Sequence, residues 1–334
     1  MGNKLCIDFS SNKIRFARGR YRKGFIIDSF FSVSLDGESL INSSYSEEVL
    51  GETIRNKLKD KKIKDTGVTF IISAMPNMLV REINVPLAKK SDTYRMVKQE
   101  AAAHFPINMD NYVIDYRVVD NYVEDKIKKQ KLIGIAVPKF LIERLIGIAN
   151  AADLRLDKID IEANTLSKLL YEYQKQQGVI SEKPSIICAI QDTYITMVVV
   201  KKGVIQMSKT NSYESVDTTL NQPALNEVAP TNEFDNANNS YTSASEQVKV
   251  EVINDVSDSI VRYINFYTSK QREEIETVYI LGKVGDQLDI AGGIRERIEV
   301  QTKNIDDLKV VISNKDYKDK DAYKYKNVFA GLLK

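Results

Sequence analysis

The sequence predicts a duplicated, two-lobed α/β fold with a small inserted subdomain. A pattern of three short strands joined by two turns begins at Lys4 and begins again at Ser185. In both copies the second turn is a basic residue followed by glycine, Lys23-Gly24 and Lys202-Gly203. Strands alternate with helices through both halves, as they do in α/β lobes. A length of 334 residues also exceeds what one compact core usually holds.

The elements of the first half follow from apolar periodicity. Alternating β-branched and aromatic residues indicate strands, and apolar residues three or four positions apart indicate helices. The sequence Phe105-Pro106 ends a helix, since the residue before a proline avoids helical dihedral angles. In order, we expect strands at 4–10, 13–19 and 24–34, a helix at 46–59, strands Val68–Ser73 and Val80–Val85, a helix at 91–104, strands Val113–Val119 and Lys131–Val137 around the charged hairpin Glu124–Lys129, a helix Lys139–Ala151, a strand Leu156–Ile161 and a helix at 162–176.

The second half repeats the strand pattern at 185–211 and then loses its apolar periodicity. Residues 211–245 are rich in Asn, Ser, Thr and acidic residues and include few large apolar ones. Such a segment buries too little surface to offset the entropy of ordering it, so we expect a mobile loop or disordered insertion. Beyond it we expect a long helix Glu246–Ser269, a strand Val278–Leu281, a helix within Asp289–Ile298 and a final helix at 321–333.

These elements divide the chain into three expected units. The first lobe comprises residues 1–86 and 156–184 together with the C-terminal helix 321–334. The inserted subdomain comprises 87–155, and the second lobe comprises 185–320. A cleft is then expected between the lobes, where the first two strands of each lobe turn.

Composition argues against several classes of function. There are 48 basic and 46 acidic residues, so no general attraction to nucleic acid is expected. No apolar run approaches the roughly 20 residues of a membrane span, and the first residues do not resemble a signal peptide. Cys6 and Cys188 occupy matching strand positions, as expected for small core residues in a reducing cytosol. A single histidine, His104, argues against a metal site or a Ser/His triad.

The turn between the first two strands has residues suited to holding phosphate. In two-lobed phosphotransfer folds such turns bind phosphate through backbone N–H groups. Here Asp8 leads into the turn, Ser10 stands where glycine is usual, and Ser11 and Asn12 offer hydroxyl and amide donors. Arg15 follows one strand step later and can bind phosphate with two nitrogens. The alternative is a polar hairpin turn capped by its aspartate.

The corresponding turns of the second lobe retain less of this chemistry. Ala189 stands where the first lobe has its aspartate, and the residues that follow it include no glycine: Gln191, Asp192 and Thr193. A surface hairpin is the competing interpretation. A third turn, expected to hold adenosine, has Gly282 but no glycine pair. Losing several contacts of about 1.5–3 kcal/mol each would move nucleotide affinity from micromolar to negligible.

Several short motifs, in their order and spacing, resemble the PilM family of type IV pilus assembly proteins over nearly the whole chain. Ile7–Arg15 resembles the family's IDIGSSSVK, and Val80–Pro86 resembles its R-x-I-x-x-P strand. Val97–Ala101 together with Phe105–Ile107 resembles the family's E-A-x-x-x-I-P helix exit, and Asp115-Tyr116 matches its D-Y strand. Ile135–Lys139 matches its A-x-P-K step, and Ile159–Glu162 resembles its V-D-I-E strand end. Phe329–Lys334 resembles its terminal G-L-A-L-R helix. The departures fall on the cleft, where D-I-G is Ala189–Gln191 and L-x-G-G is Leu281–Val284.

The resemblance implies an actin-like (ribonuclease H-like) fold, because PilM proteins are actin-like and close to FtsA. It implies a cytoplasmic adaptor, peripheral to the inner face of the cell membrane, that binds the cytoplasmic N-terminal tail of a PilN-like membrane protein. Other proteins of the pilus platform and the cytoplasmic pilus ATPase are further implied partners. We expect nucleotide binding to be weak or lost. If the cleft functions, the cofactor is ATP with magnesium, and Asp8 or Glu162 orders magnesium-bound water.

The resemblance places the peptide groove between the first lobe and the insertion. Extended peptides bind through sheet-edge pairing and apolar pockets. Arg81 would face an acidic group or a backbone carbonyl of the tail, and apolar walls would come from Pro86, Tyr94, Phe105 and Pro106. Each residue also has an ordinary structural interpretation, as the end of a helix or as packing.

Three other functions stay open at this point. The first is an ATPase or small-molecule kinase, the second is a polymerising protein similar to FtsA, and the third is a structural subunit without a peptide groove. The altered cleft residues favour a protein that is not an enzyme.

Overall fold

The computed structural model describes residues 2–10, 13–35, 45–73, 78–104, 108–191, 194–212, 237–282, 294–305, 308–314, 317, 322 and 324–333. Its strands are β1 Lys4–Phe9, β2 Lys13–Tyr21, β3 Phe25–Ser34, β4 Gly67–Ile72, β5 Leu79–Pro86, β6 Tyr112–Glu124, β7 Ile127–Pro138, β8 Arg155–Ile161, β9 Ser185–Ile190, β10 Tyr194–Lys201, β11 Val204–Ser212, β12 Thr277–Leu281, β13 Gln301–Asn304 and β14 Val310–Ile312. Its helices are α1 Glu47–Asp60, α2 Lys90–His104, α3 Lys139–Ala151, α4 Glu162–Gln177, α5 Ala237–Gln271 and α6 Lys326–Ala330, with a short 3-10 helix at Met109–Asn111.

Two sheets repeat one topology. In the first, with order β14-β3-β2-β1-β4-β8, the strands β1 to β3 form an antiparallel meander, and β4 and β8 follow parallel to β1. In the second, with order β11-β10-β9-β12-β13, the strands β9 to β11 form the same meander, and β12 and β13 follow parallel to β9. The predicted duplicated, two-lobed α/β fold is therefore confirmed.

A third sheet, with order β5-β7-β6, is the inserted unit. Helix α2 covers one face of it through a small core that includes Ile83, Val97 and Leu132. The β6–β7 connection is the two-residue turn Asp125-Lys126, in which both residues have positive φ, as tight hairpins of this hand require. Both strands therefore run longer than the predicted Val113–Val119 and Lys131–Val137.

Helices α1 and α3 pack closely against each other beside the first lobe. A Cβ placed on Gly51 would lie 2.4 Å from the Cβ of Ala151, so only glycine permits this approach. Leu141, Leu145 and Ile148 of α3 belong to the hydrophobic core of the first lobe. This core also includes Cys6, and burial raises the pKa of its thiol to about 12.

Sheet pairing and packing differ from the expected unit boundaries at three places. Strand β5 pairs with β7 of the inserted sheet, although it was expected in the first lobe. Helix α3 joins the core of the first lobe, although it was expected in the insertion. Residues 310–312, expected in the second lobe, form β14, which adds to the edge of the first sheet beside β3.

The structure corrects several predictions in the second half. Helix α5 begins at Ala237 and β11 extends to Ser212, so both ends of the expected polar loop 211–245 lie in regular elements. Residues 213–236 lie outside the described residues. The final helix occupies only Lys326–Ala330, and the prediction missed the short strands β13 and β14. Among the described helices, none has the length and apolar character needed to cross a membrane.

Candidate functional site

Buried polar side chains gather at the carboxyl ends of β1 and β4. Asp8 lies near the end of β1 and Ser73 follows β4, and these two parallel neighbours end at the same edge of the sheet. Ser73 Oγ donates a hydrogen bond of 2.5 Å to Asp8 Oδ1. Burial raises the pKa of Asp8, while the charge of Arg15 and hydrogen bonds from Ser73 and Asn327 oppose that rise.

Glu162, the first residue of α4, ties three separate segments together. Thr196 of β10, in the second lobe, donates through Oγ1 to Glu162 Oε2 at 2.8 Å. Asn327 of α6 donates through Nδ2 to Glu162 Oε1, also at 2.8 Å. A carboxylate that accepts hydrogen bonds from two directions is stable in a buried position. The contacts therefore join the second lobe and the C-terminal helix to the first lobe.

The amide of Asn327 stands between the two acidic side chains. Its Nδ2 also lies 3.5 Å from Asp8 Oδ2 and 3.5 Å from Ser73 Oγ. An amide has two hydrogens. The short contact with Glu162 takes one of them, and the two longer contacts share the other. Asn327 thus supplies a neutral donor between two carboxylates.

The turn after β1 is closed by its own side chains. Ser10 Oγ donates to the Lys13 carbonyl at 2.8 Å and accepts from Arg15 Nη1 at 2.6 Å. Both Ser10 and Arg15 are buried. Of the residues proposed for phosphate binding in this turn, Ser11 and Asn12 lie outside the described residues.

Tyr194, at the start of β10, brings an aromatic ring from the second lobe into the same cluster. Burial is the largest cause that raises its pKa well above the usual range, and the negative charges of Glu162 and Asp8 add to the rise. A phenol beside two carboxylates and Arg15 therefore stays neutral at physiological pH.

The turns of the second lobe are held mainly by backbone contacts. The Gln191 N–H donates to the Tyr194 carbonyl at 2.9 Å and closes the turn between β9 and β10. Gly282 has φ +100°, and a Cβ there would lie 2.2 Å from the Ile190 carbonyl oxygen. This glycine is therefore required by the approach of two adjacent strand ends. Asp192 and Thr193 lie outside the described residues.

Asp8 and Glu162, the two acidic residues expected to order magnesium-bound water, are buried and hydrogen-bonded in the described part of the cleft. Magnesium binds through carboxylate and water oxygens. Asp8 and Glu162 are 0% and 1% exposed, and their oxygens accept hydrogen bonds from neighbouring side chains. The described residues also include no cluster of three or more His, Cys, Asp or Glu side chains that could hold a metal ion. Either carboxylate would have to exchange its present hydrogen bonds before it could bind a metal ion.

An ionic cluster lies two residues before Glu162. Asp160 Oδ2 pairs with Lys168 Nζ at 3.1 Å and with Lys158, and Asp160 Oδ1 accepts from Asn164 Nδ2 at 2.7 Å. Burial alone would raise the pKa of Asp160, but the charges of Lys168 and Lys158 hold it below its usual value. This carboxylate is therefore ionised and anchors the start of α4.

The residues proposed for the peptide groove fall at two ends of the inserted unit. Pro86 ends β5, and Tyr94 lies near the start of α2, which follows directly. Arg81 lies five strand positions before Pro86, about 17 Å away, and faces the opposite side of the sheet. Phe105 and Pro106 lie outside the described residues. Pro86 and Tyr94 are therefore on one end, and Arg81 is on the other.

Sequence reasoning missed four members of the buried cluster: Ser73, Tyr194, Thr196 and Asn327. Asn327 carried a detectable signal, since it is a polar residue next to the apolar run Val328–Ala330. The others had none, because a serine, tyrosine or threonine at a strand end is common in any α/β protein.

No protein-family model and no curated protein sequence matches the chain. Among solved structures, the PilM–PilN type IV pilus biogenesis complex matches with a TM-score of 0.75 and 14% identity, covering 99% of this chain and 96% of that one. The cytoplasmic domain of EpsL, from the type II secretion system of Vibrio cholerae, matches with a TM-score of 0.49, 7% identity, and coverage of 100% and 96%. The ethanolamine utilization protein EutJ of Carboxydothermus hydrogenoformans matches with a TM-score of 0.49 and 10% identity, covering 100% of this chain and 90% of that one. The match at a TM-score of 0.75 confirms the actin-like fold expected from the PilM resemblance.

Proposed function

We propose that this chain is an adaptor of a type IV pilus assembly platform that binds the cytoplasmic N-terminal tail of a PilN-like inner-membrane protein. The observation that carries the proposal is the fold match, over 99% of the chain, to a PilM–PilN complex. In that role the chain lies at the inner face of the cell membrane through its partner, beside other platform proteins.

The inserted unit offers the surface that such a tail needs. Leu87, which follows Pro86 directly, and Tyr94, near the start of α2, are 48% and 43% exposed. Exposed large apolar side chains that cluster on one surface mark interaction sites more often than scattered ones do. We therefore place the apolar contact of the tail on this end of the unit.

Strand β6 supplies a second element of peptide recognition. In the described sheet it pairs with β7 on one side only, and it is 13 residues long. Long edge strands accept an added strand through backbone hydrogen bonds, and neighbouring apolar residues select the side chains. Val113 and Val118 on β6 are 42% and 46% exposed and lie on opposite faces of the strand, so each face offers one apolar side chain to an added strand.

We further propose that nucleotide binding is weak or lost. Asp8 and Glu162 are hydrogen-bonded to Ser73, Thr196 and Asn327, so ATP with magnesium would have to displace these contacts. The surviving role of the two-lobed fold is then to hold the partner.

Isothermal titration calorimetry with a synthetic peptide of the cognate PilN-like tail tests the proposal. We expect saturable binding to the wild type and at least tenfold weaker binding to the double variant Leu87→Ser with Tyr94→Ser. The control is Val179→Ser with Ile180→Ser, which removes two similarly exposed apolar side chains after α4. Absence of binding by a folded protein, or equal weakening in both variants, would overturn the proposal.

A further inference from the structure

A basic cavity lies at the opposite end of β1 from the buried cluster. Its volume is about 480 Å³, and Lys4, the first residue of β1, is part of its wall. Asp8 lies four strand positions further on, about 13 Å away. The cavity is therefore separate from the cleft.

Five basic residues from five different segments line this cavity. They are Lys4 of β1, Arg20 of β2, Arg117 of β6, Lys168 of α4 and Lys202 in the turn after β10. The acidic residue in the wall is Glu172, which already accepts a 2.7 Å hydrogen bond from the Tyr21 hydroxyl. The wall of the cavity thus carries an excess of positive charge.

Neighbouring groups balance only part of that charge. Lys168 pairs with Asp160 at 3.1 Å, and Lys202 pairs with Glu182. Arg20 donates to the neutral side chain of Asn3 at 2.8 Å. Lys4 and Arg117 form no ion pair with any residue that the structure describes. Like charges brought together in this way repel one another, and a bound anion relieves that repulsion.

The cavity lies where all three units meet. Lys4 and Lys168 belong to the first lobe, Lys202 to the second lobe, and Arg117 to the inserted sheet. The turn of the second lobe that contains Gly203 lies close to α4. A Cβ on Gly203 would be 2.9 Å from the Tyr171 ring, so glycine permits this approach. Ligand sites favour such junctions and commonly have volumes of about 300–1,000 Å³.

We propose that this cavity binds a phosphate-bearing anion and that Lys4 and Arg117 are its principal unpaired cations. Guanidinium and ammonium groups together suit phosphate oxygens, with the guanidinium able to bind two of them at once. The half-buried rings of Tyr21 and Tyr171 provide apolar wall beside the charges. The phosphate belongs either to a soluble organic phosphate or to the headgroup of an anionic lipid. This inference does not rest on the proposed adaptor function, although Arg117 lies on β6, the strand proposed to pair with the peptide.

Calorimetric titration with inorganic pyrophosphate, at low and at high salt, tests the site itself. We expect saturable binding that weakens with salt and that falls at least tenfold in Lys4→Gln with Arg117→Gln. The matched control is Lys57→Gln with Arg297→Gln, which removes one lysine and one arginine from exposed helix and turn positions elsewhere. The proposal is overturned if the wild type does not bind pyrophosphate, or if both double variants bind it equally well.

Vesicle flotation separates the two sources of phosphate. Flotation with phosphatidylglycerol vesicles but not with phosphatidylcholine vesicles, lost in the cavity variant alone, identifies a lipid headgroup. Pyrophosphate binding without flotation identifies a soluble phosphate. Flotation that the cavity variant retains, together with unchanged pyrophosphate binding, contradicts both forms of the proposal.

Discussion

Asn327 donates a hydrogen bond of 2.8 Å to Glu162, a residue 165 positions earlier in the chain. The bond joins α6 to the first turn of α4 at the buried end of the cleft. Glu162 also accepts from Thr196 of the second lobe, so this carboxylate links the lobes through a polar contact. The two acidic residues of the cleft, Asp8 and Glu162, thus make hydrogen bonds between segments that are distant in sequence.

Replacing Asn327 with alanine should destabilise the protein. The change leaves Glu162 with one donor fewer in a buried position, and an unsatisfied buried group costs about 1–3 kcal/mol. Urea unfolding followed by circular dichroism measures the loss. Asn121→Ala, at an exposed position on β6, is the control and should change the free energy of unfolding by less than about 0.5 kcal/mol. Equal stability of Asn327→Ala and the wild type would show that the bond to Glu162 contributes nothing.

Replacing Asp160 with asparagine should destabilise the protein in a pH-dependent way. The pKa of Asp160 is held below its unfolded value, so its ionised form stabilises the fold above an unfolded pKa of about 3.9. We expect a loss of about 1–3 kcal/mol at pH 7, and the difference from wild type should shrink as the pH falls through the folded pKa. Denaturant unfolding at a series of pH values measures it.

The control for that prediction is Asp157→Asn. Asp157 is also ion-paired, with Arg155 at 2.7 Å, but its side chain is 46% exposed. Exposed ion pairs contribute about 0–1 kcal/mol because water screens them. A pH-independent effect of Asp160→Asn, or an equal effect of the control, would contradict the assigned role.

Gly282→Ala should destabilise the second lobe more than Gly178→Ala does. Both glycines have positive φ, and alanine is strained at either. A Cβ on Gly282 would also lie 2.2 Å from the Ile190 carbonyl oxygen, whereas nothing lies within 4 Å of one on Gly178. We expect about 0.5–1 kcal/mol for Gly178→Ala and more than that for Gly282→Ala. Thermal unfolding measures the melting temperature of each variant. If the two variants lower the melting temperature equally, the contact with the Ile190 carbonyl adds nothing to the effect of Gly282→Ala.

ATP with magnesium should give no saturable heat with the wild-type protein at micromolar concentrations. The hydrogen bonds of Asp8 and Glu162 would have to break before either carboxylate reached a metal ion. Micromolar binding that disappears in Asp8→Ala would show instead that the cleft opens and functions. A second titration with the PilN-like tail on the same sample would then reveal any coupling between the two sites.

Much of the fold followed from the sequence because its signals are local. The repeated meander at Lys4 and Ser185 fixed the duplication, and the apolar spacing in α3 gave that helix its correct bounds. The short strands β13 and β14 were missed because Gln301–Asn304 alternates weakly and a three-residue edge strand has no periodicity. The membership of β5 in the inserted sheet depends on pairing with β7, about 50 residues later, which no local pattern reveals.

The candidate site was less predictable for the same reason. Asp8, Ser10, Arg15 and Glu162 were identified, and the structure brings them to one end of β1. Their partners Ser73, Thr196 and Asn327 come from distant segments, so no local sequence pattern predicts the hydrogen bonds that Asp8 and Glu162 accept. Sequence could indicate that the cleft had changed but not that Asn327 and Tyr194 enter it.

Hydrogen–deuterium exchange of the full chain, with and without the cognate PilN-like tail peptide, tests the central claim most directly. The adaptor role predicts that the tail slows amide exchange in the inserted unit, in residues 79–104 and 112–138, and leaves the cleft segments around Asp8 and Gly282 unchanged. Slowed exchange confined to the cleft, or no change anywhere at saturating peptide, would contradict it.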